Sequence, residues 1–370
     1  MGEPLTIIMR EGLKEGFSFL LGSYSALDYF FKIKDLSAYY LHTDATLVTL
    51  AKLFGQIEYP GFPFVDASTT IGGKNIFFLC VDNIEKPPSF PFTAMNLLYH
   101  VNKRVFLDPH TIYRDLRNKK LICINNDLPP TILLMEAAIL VSRYHYELER
   151  HSIPQLPHYY IPSKRMQKYL LESILTAPYP WKGLSLLKEY GFIERYWPEL
   201  FRMDKIEQAK EYHPEGNVWI HSLETLKYRK KADLTLSLAL LLHDIGKPVA
   251  TKTQDKPFHS HSELGARIAL RFLEKCEFDK SIRENVAFLI RFHMIPHALK
   301  HLPLYRTEKL MDSPLFPLLL ELYRADVAAT YRGPQGYYDA CRIYKRYLKN
   351  KKNPFNTKGN LFYADKNIVG

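Results

Sequence analysis

Cysteine is scarce in these 370 residues: Cys80, Cys123, Cys276 and Cys341 stand far apart, and none belongs to a Cys-x-x-Cys pair. This excludes a clustered-cysteine zinc site, gives no disulfide framework, and fits a reducing cytoplasm. No apolar run approaches the length of a membrane span. Glu3, Arg10 and Glu11 are not followed by the apolar core of a secretion signal. Met1-Gly2 with Thr6 has the spacing of a myristoylation pattern, but no basic anchor stands beside it. Repeats and low-complexity tracts are missing too.

Acidic residues are in deficit, 39 against 50 basic ones, which leaves a formal net charge of +11. Such a surplus points to anionic partners (RNA, DNA or nucleotides) or to a generally lysine-rich surface. The charge gathers at Lys227 to Lys231 and again from Arg342 to Lys352. Tyr344 and Tyr347 lie in the second cluster, which reads as a stacking and phosphate-contacting surface or as a solvated helix face.

What remains is the composition of a globular protein, 46% hydrophobic and 24% charged, long enough for two or three domains. Short apolar runs broken by Gly and Pro give residues 1–125 the texture of an α/β unit. Phe17 to Gly22 and Ile76 to Val81 read as strands, and Ala45 to Phe54 as a helix. The spacing turns helical over Thr131 to Leu148. Ser163 to Leu175, Gly183 to Tyr190 and Ile193 to Phe201 read as short helices joined by Pro and Gly turns. The expected fold class is therefore α+β: an α/β head over 1–125, a helical neck over 126–205, a helical domain over 206–350 and a loose tail over 351–370.

The apolar stretch Leu234 to Leu242 ends in His243-Asp244-Ile245-Gly246-Lys247-Pro248. A buried helix that ends in an imidazole and a carboxylate must satisfy two polar groups where water is scarce, and a cation does so directly. Neighbouring helical residues point about 100° apart, so the pair needs help from other helices. His221 upstream and Asp326 downstream are the natural helpers. This order, His221, then His243-Asp244, then Asp326, resembles the HD superfamily of metal-dependent phosphohydrolases. His261, in a His-x-x-x-Gly265 arrangement, and His293 stand where members that hold a second ion have ligands. Each is otherwise a satisfied core histidine, and Met294 replaces a further histidine beside the last one. His259 and His297 are nearby substitutes. Mixed imidazole and carboxylate ligation suits one or two divalent transition ions (Mn, Fe, Co, Ni or Zn). Under this reading Asp244, Lys247 and His213 form the catalytic set, with Lys247 placed to stabilise a phosphate oxyanion and Arg267 a further contact.

A second resemblance covers the head. Phe92-Thr93-Ala94-Met95-Asn96, Leu107-Asp108-Pro109 and Asp115-Leu116-Arg117-Asn118 are similar to marks of the tRNA nucleotidyltransferases, the CCA-adding and poly(A) polymerase-like family. The resemblance implies a turn at Gly22-Ser23 followed by an Arg-Asp pair, then two metal-binding Asp residues one apart. Ala26 and Leu27 occupy the first pair here, and Asp35 and Ser37 the second. Ser89-Phe90-Pro91 stands for a polar Arg-Arg-Asp step, and Ile132 to Glu136 for an arginine-rich neck. Asp28, Asp44 and Asp66 are the available substitutes. Two-metal transfer needs both carboxylates. These departures imply a scaffold that has lost its polymerase site and carries a phosphohydrolase acting on a nucleotide or RNA-end phosphate. The alternatives are an active CCA-adding or poly(A) polymerase-type enzyme and a non-catalytic RNA-binding regulator. Nucleotide or RNA, including tRNA, is the expected partner, with no membrane.

Overall fold

The computed structural model describes all residues except 1–2, 34–37, 85–86, 109–110, 150–151, 154–155, 157–159, 208–215, 251–257 and 353–370. The chain divides into two compact units, one of residues 1–166 with 185–192, the other of 167–184 with 193–370.

The first unit is built on a six-stranded sheet in the order β3-β4-β2-β1-β5-β6. Its elements in chain order are α1 (Glu3–Glu15), β1 (Phe19–Leu21), α2 (Ser23–Phe30), β2 (Ala38–Thr43), α3 (Leu47–Phe54), β3 (Ala67–Ile71), β4 (Lys74–Cys80), β5 (Leu98–His100), β6 (Val105–Leu107), α4 (Tyr113–Asn118), β7 (Lys120–Leu121), α5 (Pro130–Tyr144) and β8 (Glu147–Leu148). Only β2 and β4 run parallel in the large sheet. The central strand β1, Phe-Leu-Leu, is buried along its whole length, as a strand covered on both faces must be. Between β1 and α2 the chain turns at Gly22, where a side chain is impossible: a Cβ there would sit 2.3 Å from His42 Nε2.

One expectation needs correction in this unit. The helical spacing over Thr131 to Leu148 does not carry through, because His145 adopts a left-handed φ of 60° and ends α5. Glu147 and Leu148 then pair with β7 as a small parallel sheet. α5 itself is almost wholly buried, so the two charges on it need partners. Glu136 and Arg143 lie two turns apart on one face, opposite Tyr24 and Asp28 of α2. Tyr24 Oη donates to Glu136, Arg143 Nε donates to Asp28 at 2.9 Å, and Tyr144 Oη donates to Asp28 at 2.8 Å. Burial pushes the Glu136 carboxyl up to about 7 against the opposing pull of the Tyr24 hydroxyl.

The second unit is helical. It contains α6 (Lys164–Leu175), α7 (Pro180–Glu189), α8 (Phe192–Tyr196), α9 (Pro198–Phe201), α10 (Val218–Lys227), α11 (Leu234–Leu242), α12 (His261–Lys275), α13 (Lys280–Phe292), α14 (Ile295–Ala298), α15 (Leu304–Met311), α16 (Phe316–Ala328) and α17 (Gln335–Lys351), the first three at or across its borders with the first unit. The helix expected over Ile193 to Phe201 is two, split at Trp197 because Pro198 can begin a helix but cannot continue one. α17 runs to Lys351, the first residue of the expected tail, and residues 353–370 lie outside the described residues. α11 is the hub, buried from Leu236 to Leu242 and packed on α10, α13 and α16. Its start is fixed by Asp233, whose carboxylate accepts from Leu236 N at 2.7 Å. Asn217 caps α10 the same way, accepting from Ile220 N at 2.9 Å.

No helix among the described residues is long and apolar enough to cross a membrane. All four cysteines are free.

Candidate metal centre

α11 stops at Leu242, and His243 and Asp244 follow where the chain leaves the helix, both at most 2% exposed. His221 projects from α10, His261 opens α12, His293 closes α13, and Asp326 lies near the end of α16. Five separate segments therefore meet at one point in the helical core.

Glycine makes the approach of α12 possible. A Cβ at Gly246 would lie 2.0 Å from the His261 carbonyl oxygen and 2.6 Å from the Gly265 amide. The Gly of the His-x-x-x-Gly arrangement thus meets the Gly that follows His-Asp. Only this backbone contact lets His261 Nε2 come within 3.6 Å of Asp244 Oδ1.

Three of the histidines are oriented alike. Nδ1 of His243 donates to the Leu240 carbonyl at 2.9 Å, that of His261 to Phe258 at 2.9 Å, and that of His293 to Ile290 at 2.7 Å. A carbonyl only accepts, so Nδ1 carries the proton and Nε2 turns a bare lone pair to the interior. His261 and His293 then oppose two lone pairs at 3.2 Å. Protonating one ring would relieve this, but burial lowers both, His293 to about 4. His243 Nε2 has no hydrogen-bond partner, although its interior position needs one. A cation answers both problems, and the donor set fits one.

Among the described residues, two groups have ligand atoms close enough to hold an ion: His221, His243 and Asp244, and Asp244, His261 and His293. Asp244 belongs to both. Burial alone would raise its carboxyl, yet the Lys247 ammonium beside it holds it well below the usual carboxylate range. Asp326 accepts from His221 Nε2 at 2.9 Å and lies 3.9 Å from His243 Nε2. It is ionised despite burial, chiefly through His221.

The other candidates are placed differently. Lys247 Nζ is 2.6 Å from Asp244 Oδ2, so its charge is already engaged by the cluster. Arg267 is exposed and pairs with Glu263 at 3.5 Å. His259 is exposed, Met294 is 43% exposed, and His297 Nδ1 faces Tyr323 Oη at 3.3 Å. His213 lies outside the described residues, as do Asp35 and Ser37. Of the substitutes in the head, Asp28 is tied to Arg143 and Tyr144. Asp44 and Asp66 accept backbone amides from Ser18 and Cys80, each at 2.8 Å. Gly22 N bonds Tyr40 O, so Asp44 lies four residues further along, roughly 13 Å at strand rise from the Gly22 turn. No sequence signal marked the carbonyl tethers of the histidines or the Gly246–Gly265 contact. The repeated three-residue step from carbonyl to histidine is a backbone relation, visible only once helices are in place.

Residues 218–330 match the family model for the HD domain. The chain is 32% identical over 204 residues to the CC-adding tRNA nucleotidyltransferase of Thermus thermophilus, which covers 52% of this chain and 45% of that one. It is 30% identical over 176 residues to the A-adding tRNA nucleotidyltransferase of Deinococcus radiodurans, 44% of this chain and 39% of that one. Over about half its length it is thus similar to tRNA nucleotidyltransferases that add C or A. In fold it resembles the CCA-adding enzyme of Bacillus stearothermophilus solved with CTP, at a TM-score of 0.59 and 16% identity, covering 97% of this chain and 85% of that one. The chain spans less than half the length of the two curated relatives.

These relatives correct the functional expectation. A phosphohydrolase on a scaffold without a polymerase site was inferred from the HD residues, yet the relatives are named for adding nucleotides to tRNA. The HD match covers residues 218–330 alone and does not decide the activity of the whole chain. The supposed loss in the head rested on Ala26 and Leu27, Asp35 and Ser37, Ser89 to Pro91 and Ile132 to Glu136; of these, Asp35 and Ser37 lie outside the described residues.

Proposed function

We propose that this protein is a cytoplasmic tRNA-processing enzyme that adds CMP or AMP to tRNA 3′ ends. Its HD domain holds one or two divalent transition ions at His221, His243, Asp244, Asp326, His261 and His293. The observation that carries the first part is the likeness to relatives that add C and A residues to tRNA. Support for the second is the pair of bare imidazole nitrogens at 3.2 Å beside an ionised, buried Asp244. Of the ions proposed, any would supply Lewis acidity and charge neutralisation next to phosphate oxygens.

The chain's own residues have defined tasks under this reading. Gly22 keeps the turn before α2 open, because any side chain would strike His42. Asp35 is the one carboxylate of the family's pair that the sequence retains, and this reading assigns it to nucleotide addition. The Asp28–Arg143–Tyr144 network fixes α2 on α5.

Incorporation of labelled CTP and ATP into tRNAs that end before, within and just short of the terminal CCA tests the proposal. Wild type should extend at least one of the three substrates, and Asp35→Asn should reduce extension at least a hundredfold while the protein still binds tRNA. Binding without any extension by wild type would refute nucleotidyl transfer and leave an RNA-binding protein.

A further inference from the structure

α17 carries a feature that neither the metal centre nor the head explains. The tyrosines expected to stack, Tyr344 and Tyr347, face inward: Tyr344 packs on Phe316 with ring centroids 4.7 Å apart, and Tyr347 Oη donates to Asp312 at 2.6 Å. Two members of the first basic cluster are spent on structure as well, while Lys230 and Lys231 are exposed. Arg229 is half-buried against the carbonyls of Leu175 and Ala177, and Lys227 pairs with Glu224. The outer face of α17 is different. Tyr338, Arg342, Lys345, Arg346, Lys349 and Lys352 are all exposed and recur at three- and four-residue steps, which makes one stripe roughly 21 Å long at helical rise. Arg342 pairs with Asp339, while Lys345, Arg346 and Lys349 form no ion pair among the described residues.

The stripe also has a direction. Phe316 of α16 meets Tyr344 of α17, and Tyr323 of α16 meets Gly336, where a Cβ would lie 2.5 Å from its hydroxyl. The two helices are therefore antiparallel, and the tyrosine end of the stripe lies beside the end of α16 that carries Asp326. Asp326 is 22% exposed at its side chain, the most open of the cluster's side chains. Tyr331, 73% exposed, and Tyr338, 54% exposed, stand at that same end.

We propose that the outer face of α17 is a track for single-stranded RNA. Lys345, Arg346 and Lys349 contact consecutive phosphates, bases stack on Tyr338, and the strand runs toward the edge of the His/Asp cluster at Asp326. Uncompensated cations in a row match a polyanion, and exposed tyrosines suit unpaired bases, whose faces are free. This assignment deepens the tRNA reading but stands on its own test, because equilibrium RNA binding does not require nucleotide addition.

The experiment measures anisotropy of a labelled 12-nucleotide RNA with the full chain over a salt series. Lys345→Gln/Arg346→Gln/Lys349→Gln should lower the slope of log K against log salt by about 2, since each single-strand phosphate contact contributes roughly 0.7. Tyr338→Ala should weaken the single strand by roughly fivefold to a hundredfold and leave a duplex of the same length unaffected. Lys345→Arg/Lys349→Arg should bind like wild type, which separates charge from folding. An unchanged slope in the triple variant overturns the proposal. So does loss of binding to phosphatidylserine vesicles with RNA binding intact, which would give this face to a lipid surface.

Discussion

At the scale of single residues, the metal centre depends on an atom that is missing. Gly246 has no Cβ, and the 2.0 Å that would separate one from the His261 carbonyl is far inside van der Waals contact. Gly246→Ala must push the start of α12 away and carry His261 out of reach of Asp244. Overpacking of this kind costs about 1–3 kcal/mol, so most of the fold should survive while the second ligand group does not. Metal content by mass spectrometry should fall by at least one ion per chain relative to wild type. Equal metal content in both proteins would show that His261 is no ligand. The same residues explain what could be read from sequence: His-Asp after an apolar run announces a buried polar pair that needs a partner. Which nitrogen of each imidazole faces inward is set by carbonyls of Leu240, Phe258 and Ile290, and a residue alphabet does not display them.

At the scale of elements, α2 and α5 are held by a buried polar ladder, and one rung titrates. Glu136 takes up its proton near pH 7 when folded, against an ordinary value of 4.5. Between these values the unfolded chain has released the proton while the native one still holds it. Stability therefore falls as pH rises from 4.5 to 7 and stays reduced above that, by up to about 3 kcal/mol. Glu136→Gln keeps an acceptor for Tyr24 and removes the titration. The variant should melt several degrees above wild type at pH 8 and within a degree or two of it at pH 5. An equal difference at both pH values would remove Glu136 as the cause. Periodicity foretold α5 as a buried helix, but not its end at His145, because a left-handed cap is a choice of backbone that the run of apolar residues does not encode. Likewise the face of α17 was legible as basic, whereas the covering of Tyr344 and Tyr347 depended on α16 and α15, distant in sequence.

At the scale of the whole molecule, the two units differ in what holds them together: a sheet with buried helices in one, helices converging on a charged cluster in the other. A ligand stabilises only the unit that binds it. With divalent metal at a hundred times its dissociation constant the helical unit should gain about 2.7 kcal/mol, or roughly 5–10 °C. Calorimetry with and without a chelator should move one transition and leave the other in place, and Asp244→Ala should make the protein indifferent to the chelator. A shift of both transitions in Asp244→Ala as well as wild type would place the bound metal elsewhere.

His221 and its partner Asp326 are separated by 105 positions in the chain. A growing polypeptide that emerges at roughly 5–20 residues per second needs about 5 to 20 s to supply the second of them after the first. Until then His221 lacks the carboxylate that accepts from its Nε2, and the apolar α11 has no α16 to cover it. Newborn chains of this protein thus spend that interval with one side of their greasiest helix uncovered, and this is the stage at which a chaperone would have most to hold.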